Sequence, residues 1–117
     1  MVIMTDVENN NDEYEEAISS YYEGRGVSSI ISLKVDTMEA DTIAEKLSGF
    51  DNIEDVFLVT GDVDIIVKAR FKDYDHMKQF LLKKVSQLEG VENLHSQMII
   101  TTYKERYEII AIEETSE

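Results

Sequence analysis

A chain of 117 residues with 25 acidic residues, 11 basic residues and no cysteine falls outside several classes of protein. Without cysteine, it can form no disulfide, no thiolate zinc site and no cysteine nucleophile. The net charge of −14 argues against direct binding to DNA, RNA or an anionic membrane, because basic side chains that neutralise phosphates supply most non-specific affinity.

The length suits a single domain with one modest core. The opening Met-Val-Ile-Met is too short, and too soon followed by Asp6, to be the apolar part of a signal peptide. No apolar run is long enough to span a bilayer, so the sequence predicts a cytoplasmic protein.

Residues 1–27 are predicted to form an acidic arm. They contain seven acidic residues against one basic residue, Arg25, which gives a net charge of −6. A short helix is compatible with the roughly helical spacing of five side chains: Tyr14, Ala17, Ile18, Tyr21 and Tyr22. Gly24 and Gly26 interrupt this pattern before the domain that is predicted to occupy residues 28–117.

The first predicted unit of that domain is a strand, a helix and a second strand. Residues 29–36 alternate like a strand, and Asp36 is placed to cap a helix with Glu39 as its reciprocal partner. Gly49 is placed to end the helix, and residues 53–60 form the next strand. The apolar helix face has the spacing i, i+3, i+4, i+7: Ala40, Ile43, Ala44 and Leu47.

The second predicted unit has the same order. A strand at 64–71 is followed by a helix capped by Asp73 or Asp75, and Gly90 is placed to end that helix. The helix carries an apolar stripe: Met77, Phe80, Leu81, Val85 and Leu88. A fourth strand is predicted over 94–103, and the run 107–112 is a candidate extra strand that could join the sheet edge or swap onto a second copy.

The two units are also similar in sequence, since LSGFDNI (47–53) and LEGVENL (88–94) share the positions of Leu, Gly and Asn. Two strand–helix–strand units joined by a tight hairpin predict an α+β, ferredoxin-like βαββαβ fold with both helices on one sheet face. Both sides of the strands carry apolar side chains, as in the neighbouring pairs Ile30 with Ile31 and Ile65 with Ile66. In a monomer, the sheet face without helices would therefore expose an apolar patch to water. The sequence therefore predicts an obligate dimer packed sheet against sheet, a dimeric α+β barrel.

Two segments resemble the effector-binding (RAM) domain of the Lrp/AsnC family: VFLVTGDVDIIVKAR (56–70) and LEGVENLHSQMII (88–100). The resemblance covers roughly residues 27–106. It implies dimers that assemble into octamer or decamer rings and bind small ligands, usually amino acids, in clefts between dimers. It also implies a ligand site at the Gly-x-x-Asp turn and the last strand, formed by Thr60, Gly61, Asp62, Asp64 and Ser96.

Each of these residues also has a structural interpretation. Glycine provides positive φ in a tight turn and aspartate caps turns through its own backbone, which suits Gly61 and Asp62. A carboxylate such as Asp64 can equally pair with the ammonium of an amino acid, while turn amides and Ser96 bind its carboxylate. This chain departs from the family at Leu94, where a hydroxyl is typical, and at Val63, where relatives are often aromatic or polar.

Full-length family members carry an N-terminal helix-turn-helix, whereas only about 28 residues precede the first predicted strand here, and their net charge is negative. The leading hypothesis is therefore a stand-alone effector-sensing and oligomerisation domain. It would modulate full-length Lrp/AsnC regulators or other partners without binding DNA, and it would use no cofactor.

Two other functions remain open. A structural partner that binds no ligand is favoured by Leu94, and a small dimeric α+β barrel enzyme would need His95 or Asp64 as its acid–base group. No catalytic residue is predicted, because His95 and Ser96 should point to opposite sides of their strand. A metal site is not expected either, since His76 and His95 are the only histidines and no thiolate accompanies them.

Overall fold

The computed structural model describes residues 2–5 and 26–110, which form an antiparallel sheet of five strands with two helices. In chain order the strands are β1 Val2–Thr5, β2 Val27–Val35, β3 Ile53–Leu58, β4 Ile65–Phe71 and β5 Val91–Ile99. They lie side by side in the order β1-β5-β2-β4-β3.

Helices connect the strands that are not neighbours. A 3₁₀ turn at Thr37–Glu39 and helix α1, Ala40–Ser48, join β2 to β3. Helix α2, Tyr74–Phe80, continues as a π-helical segment, Leu81–Val85, and leads to β5. Beyond β5, strands β6 Lys104–Glu105 and β7 Glu108–Ile109 form a separate two-stranded hairpin.

The βαββαβ order from β2 to β5 confirms the predicted ferredoxin-like fold. Every second residue of β2 and β4 is buried, which is the alternation expected when one sheet face is covered. Both helices pack on that same face, because their buried side chains share one core with those of the strands. The helical members of this core are Ile43, Leu47, Tyr74, Met77, Phe80, Leu81 and Val85.

The start of α1 corrects one detail of the prediction. Asp36 is the cap, since its Oδ1 accepts from the Met38 N–H at 3.0 Å. Glu39 is not its reciprocal partner: the Asp36 N–H instead donates to the Gly90 carbonyl at 2.8 Å. A backbone group from the second half of the fold thus takes the place of a local side chain. At α2 the cap is Asp73, whose Oδ1 accepts from the His76 N–H at 2.8 Å.

The predicted positions of the last elements are shifted. The helical region ends at Val85, so Gly90 does not end it but lies in the turn before β5. That strand covers 91–99 rather than 94–103. The run 107–112 contributes β7 to the hairpin and not to the edge of the main sheet, because the chain reverses at Arg106 and Tyr107, which both have positive φ.

The outer edge of β5 is occupied by β1, a strand that the sequence did not predict. Its residues pair antiparallel with β5, from Val2 opposite Ile99 to Thr5 opposite Ser96. Residues 2–5 belong to the predicted acidic arm. Gly26 and Val27, at the end of the arm, are also described, and Val27 is the first residue of β2. Residue 1 and residues 6–25, which include the predicted helix, lie outside the described residues.

Candidate functional site

The turn at residues 59–64, called the Gly61 turn below, joins β3 to β4 at one end of the sheet. The Val59 N–H donates to the Asp64 carbonyl at 2.8 Å and closes the turn. Gly61 has φ of 124°, and no atom lies within 4 Å of the position that a Cβ would occupy. Glycine is therefore required here by the backbone conformation alone, and the space above the turn is open.

Asp64 fastens this turn to the end of β2. Its N–H donates to the Leu33 carbonyl at 2.9 Å, and its carboxylate Oδ2 accepts from the Val35 N–H at 2.9 Å. Lys34 Nζ lies 3.9 Å from the same oxygen. The side chain is still 29% exposed, so the carboxylate is fixed in orientation without being buried.

Thr60 and Asp62 lie beside Asp64 on the exposed part of the turn. Neither side chain makes a hydrogen bond or ion pair with the residues that the structure describes. The turn therefore presents two carboxylates, one oriented by β2 and the other directed into solvent. This arrangement can receive a cationic group such as an ammonium.

Ser96 lies away from the turn. It is 1% exposed and is in register with Ile31, a core residue on the helix-covered side of the sheet. Ile31 lies three residues, roughly 10 Å, before Lys34, and β5 is two strand spacings of about 4.8 Å from β4. A single chain does not bring Ser96 to the turn, so its contact with a ligand stays a prediction. Leu94 is half-buried and packs against the same core.

The open sheet face also carries a charged cluster that the sequence did not predict. The Glu54 Oε2 accepts from Arg70 Nε at 2.7 Å, and Glu54 Oε1 lies 3.7 Å from Lys68 Nζ. Lys68 also forms an ion pair with Glu105 of the C-terminal hairpin. The sequence shows that Lys68 and Arg70 alternate with core residues of β4. It does not show the bulge between Ile53 and Asp55, which directs Glu54 toward both of these side chains.

The hydrogen bond from Arg70 is the main reason that the pKa of Glu54 lies below its ordinary value of 4.5. A carboxyl whose pKa is lowered by folding stabilises the protein above its unfolded pKa and loses this effect as the pH falls through the folded value. We expect Glu54→Gln to lower the free energy of unfolding at pH 7 by less than about 1 kcal/mol, because the pair is partly solvated. The difference from wild type should shrink at pH 3, as measured by urea denaturation.

Glu45→Gln on α1 provides the control for this experiment, since Glu45 is exposed and has no ion pair among the described residues. A Glu54→Gln deficit that is the same at pH 3 and pH 7 would show that the contribution is not electrostatic.

The two histidines do not form a reactive site within the described residues. His95 is exposed and in register with Ser32, whereas the neighbouring Ser96 points into the core. His76 Nδ1 accepts from the Lys72 N–H at 3.0 Å and so belongs to the start of α2. Between residues 26 and 110, no three His, Cys, Asp or Glu side chains are grouped closely enough to bind a metal ion. Neither helix of the described chain has the length and apolarity needed to cross a membrane.

The same fold occurs in solved structures of transcriptional regulators. Escherichia coli AsnC has the same fold, with a TM-score of 0.66 and 15% identity over 81% of this chain and 70% of AsnC. A Neisseria meningitidis regulator solved as a complex with L-methionine also has a TM-score of 0.66, with 18% identity over 88% of this chain and 74% of the regulator.

The chain belongs to the Lrp/AsnC family, whose ligand-binding domain matches residues 28–109. It is 33% identical over 86 residues to the HTH-type transcriptional regulator FL11 of Pyrococcus furiosus, a match that covers 74% of this chain and 56% of FL11. The chain thus spans little more than half the length of this relative. The resemblance seen at the Gly61 turn and at residues 88–100 is confirmed by these comparisons.

Proposed function

We propose that this domain senses a small effector, most simply an amino acid, in a cleft that the Gly61 turn forms with a neighbouring dimer. The observation that carries this proposal is the pair of carboxylates on the turn. Asp64 is oriented by the Val35 N–H, so it needs little reorganisation to receive a ligand. Asp62 is exposed and adds negative charge beside it.

The chemistry of the turn suits one end of an amino acid in particular. Its ammonium would pair with the carboxylates, and backbone N–H groups at the open side of the turn would be available to its carboxylate. The structural neighbour from Neisseria meningitidis, which was solved with L-methionine, supports this ligand class. The space above Gly61 leaves room for the second dimer that would close the cleft.

Assembly in this proposal begins with a dimer that pairs the open sheet faces of two copies. Ile66 is half-buried on that face, and Phe57, which is in register with it, is 55% exposed. A second sheet would remove both from water. Such dimers would assemble further into octamer or decamer rings, and a ligand between dimers would favour the assembly that it binds best.

The domain would act in the cytoplasm, by joining Lrp/AsnC-type regulators or other partners rather than by contacting DNA. The net charge of −14 supports this part of the proposal, because it repels phosphates.

The test is a thermal-shift screen of the purified protein against each of the twenty amino acids, with light scattering on any that bind. A ligand at one hundred times its Kd stabilises the folded protein by about 2.7 kcal/mol, which raises the Tm of a domain of this size by roughly 10 °C. Asp62→Asn and Asp64→Asn should weaken that shift. Asp41→Asn, an exposed carboxylate on α1, should leave it unchanged.

A ligand-free assembly partner is the second candidate function, and Leu94 favours it. This residue packs against the core at a position where a hydroxyl is typical of the family. A stable assembly with no thermal shift for any amino acid would support this function and contradict the effector proposal.

A further inference from the structure

The segment that follows β5 lies over part of the open sheet face. Residues 101–110, called the strap below, include the hairpin of β6 and β7. Thr101 and Tyr103 of the strap line a shallow groove of about 450 Å³ together with Ile30, Lys68 and Ile99 of the sheet. The strap therefore covers the part of the face that is remote from the Gly61 turn.

One ion pair connects the strap to the sheet. The Glu105 carboxylate contacts Lys68 Nζ, and the two side chains are 31% and 19% exposed. Lys68 Nζ also lies 3.7 Å from Glu54 Oε1. The ammonium is thus fixed in the middle of the face, where it can anchor the strap.

The strap has few other features that would keep it in place. Its two strands have two residues each, and an isolated hairpin of this size is only marginally stable. The chain reverses through Arg106 and Tyr107, with φ of 49° and 75°, a conformation that favours glycine or asparagine. Tyr107 is 97% exposed and Ile109 is 61% exposed, so neither anchors the hairpin to the sheet.

The position of the strap conflicts with a dimer that pairs two open faces. Sheets that pack face to face lie about 10 Å apart, and this distance is filled by their side chains. The strap, which lines one groove together with Ile30 and Ile99, would stand in the space that a second sheet must fill. Either the strap moves away from these residues or the second sheet cannot approach them.

From this conflict we propose that the strap is an autoinhibitory latch. Closed by Glu105 and Lys68, it covers the open face, and its release exposes the face to a second copy of the chain. This inference rests on the sheet-to-sheet dimer of the proposed function and adds that the closed strap opposes the formation of this dimer. Weakening the latch should therefore strengthen the dimer, although it removes an ion pair from the monomer.

The test compares wild type with Glu105→Gln and Glu45→Gln. Both substitutions change the net charge by the same amount, and Glu45 is exposed on α1, on the opposite side of the sheet from the strap, so Glu45→Gln controls for long-range repulsion. Sedimentation equilibrium gives the Kd of the dimer. Hydrogen exchange of the Ile110 amide, which donates to the Tyr103 carbonyl at 2.8 Å, reports on the strap.

We expect Glu105→Gln to accelerate exchange in the strap and to lower the dimer Kd roughly four- to twenty-five-fold. One partly exposed ion pair accounts for about two- to fivefold per strap, and both copies must release a strap before their faces pair. Glu45→Gln should match wild type in both measurements. Unchanged exchange in Glu105→Gln would overturn the latch, and a raised Kd would show that the strap belongs to the interface instead of blocking it.

If wild type and both variants stay monomeric at every concentration, the sheet-to-sheet dimer is refuted, and the autoinhibitory role of the strap is refuted with it. Binding of an amino acid in the thermal-shift screen would still stand in that case. The failure of the latch alone is recognised by a normal wild-type dimer whose Kd does not respond to Glu105→Gln.

Discussion

Replacing Gly90 by alanine is expected to lower the free energy of unfolding by roughly 2–4 kcal/mol. Gly90 has φ of 99°, and a Cβ there would lie 2.8 Å from the Glu39 Cβ and 3.1 Å from the Ile43 Cδ1. The substitution would strain the backbone and push α1 away from the turn. The Gly90 carbonyl would then lose its hydrogen bond from the Asp36 N–H. Urea denaturation measures the loss directly.

Gly61→Ala is the matched control for this substitution. Gly61 also has positive φ, 124°, but a Cβ there would meet no atom within 4 Å. Its cost should be the backbone strain alone, about 1–2 kcal/mol. If both variants lost the same free energy of unfolding, α1 would move away from Gly90 at no cost in stability, and the contact with Glu39 would be unimportant.

Asp64→Ala is expected to destabilise the protein by about 1–3 kcal/mol, since it removes the acceptor of the Val35 N–H. Val35 is only 4% exposed, so water cannot easily replace the lost carboxylate. Asp64→Asn keeps an oxygen in the same place and should cost much less. Thermal unfolding of the two variants, without ligand, measures this difference.

The comparison also separates the two roles of Asp64. If Asp64→Asn loses the effector response while its Tm without ligand stays close to that of wild type, the negative charge of Asp64 is needed for ligand binding. If alanine and asparagine lowered the Tm equally, the hydrogen bond from Val35 would not be what Asp64 contributes.

The sequence predicted the elements of this fold because apolar periodicity is a local signal. The alternation in β2 and β4 and the helical spacing of Ile43 and Leu47 depend only on neighbouring residues, and they appear in the structure as buried positions. The two similar segments around Gly49 and Gly90 were less informative. Gly49 follows α1 directly, as predicted, whereas Gly90 packs against α1 five residues after the second helical region ends.

What the sequence could not reveal depends on contacts between distant residues. The cap at Asp36 followed from its residue type, but the bond from its N–H to Gly90 joins residues 54 positions apart, so the Glu39 prediction was wrong. The same limit applies to the candidate site. Gly61, Asp62 and Asp64 are close in sequence and lie on one turn, whereas Ser96 was assigned to the site through the family resemblance and faces the core.

The pairing of Val2–Thr5 with β5 has a consequence for how this protein can self-associate through its backbone. Within the described residues, it makes β1 the outer strand of the main sheet on that side, with β3 at the opposite edge. A further strand would meet an edge of four residues at β1 instead of the nine-residue edge of β5, and very short edge strands discourage strand addition between copies. While β1 stays in place, it therefore shields part of β5 from pairing with another chain.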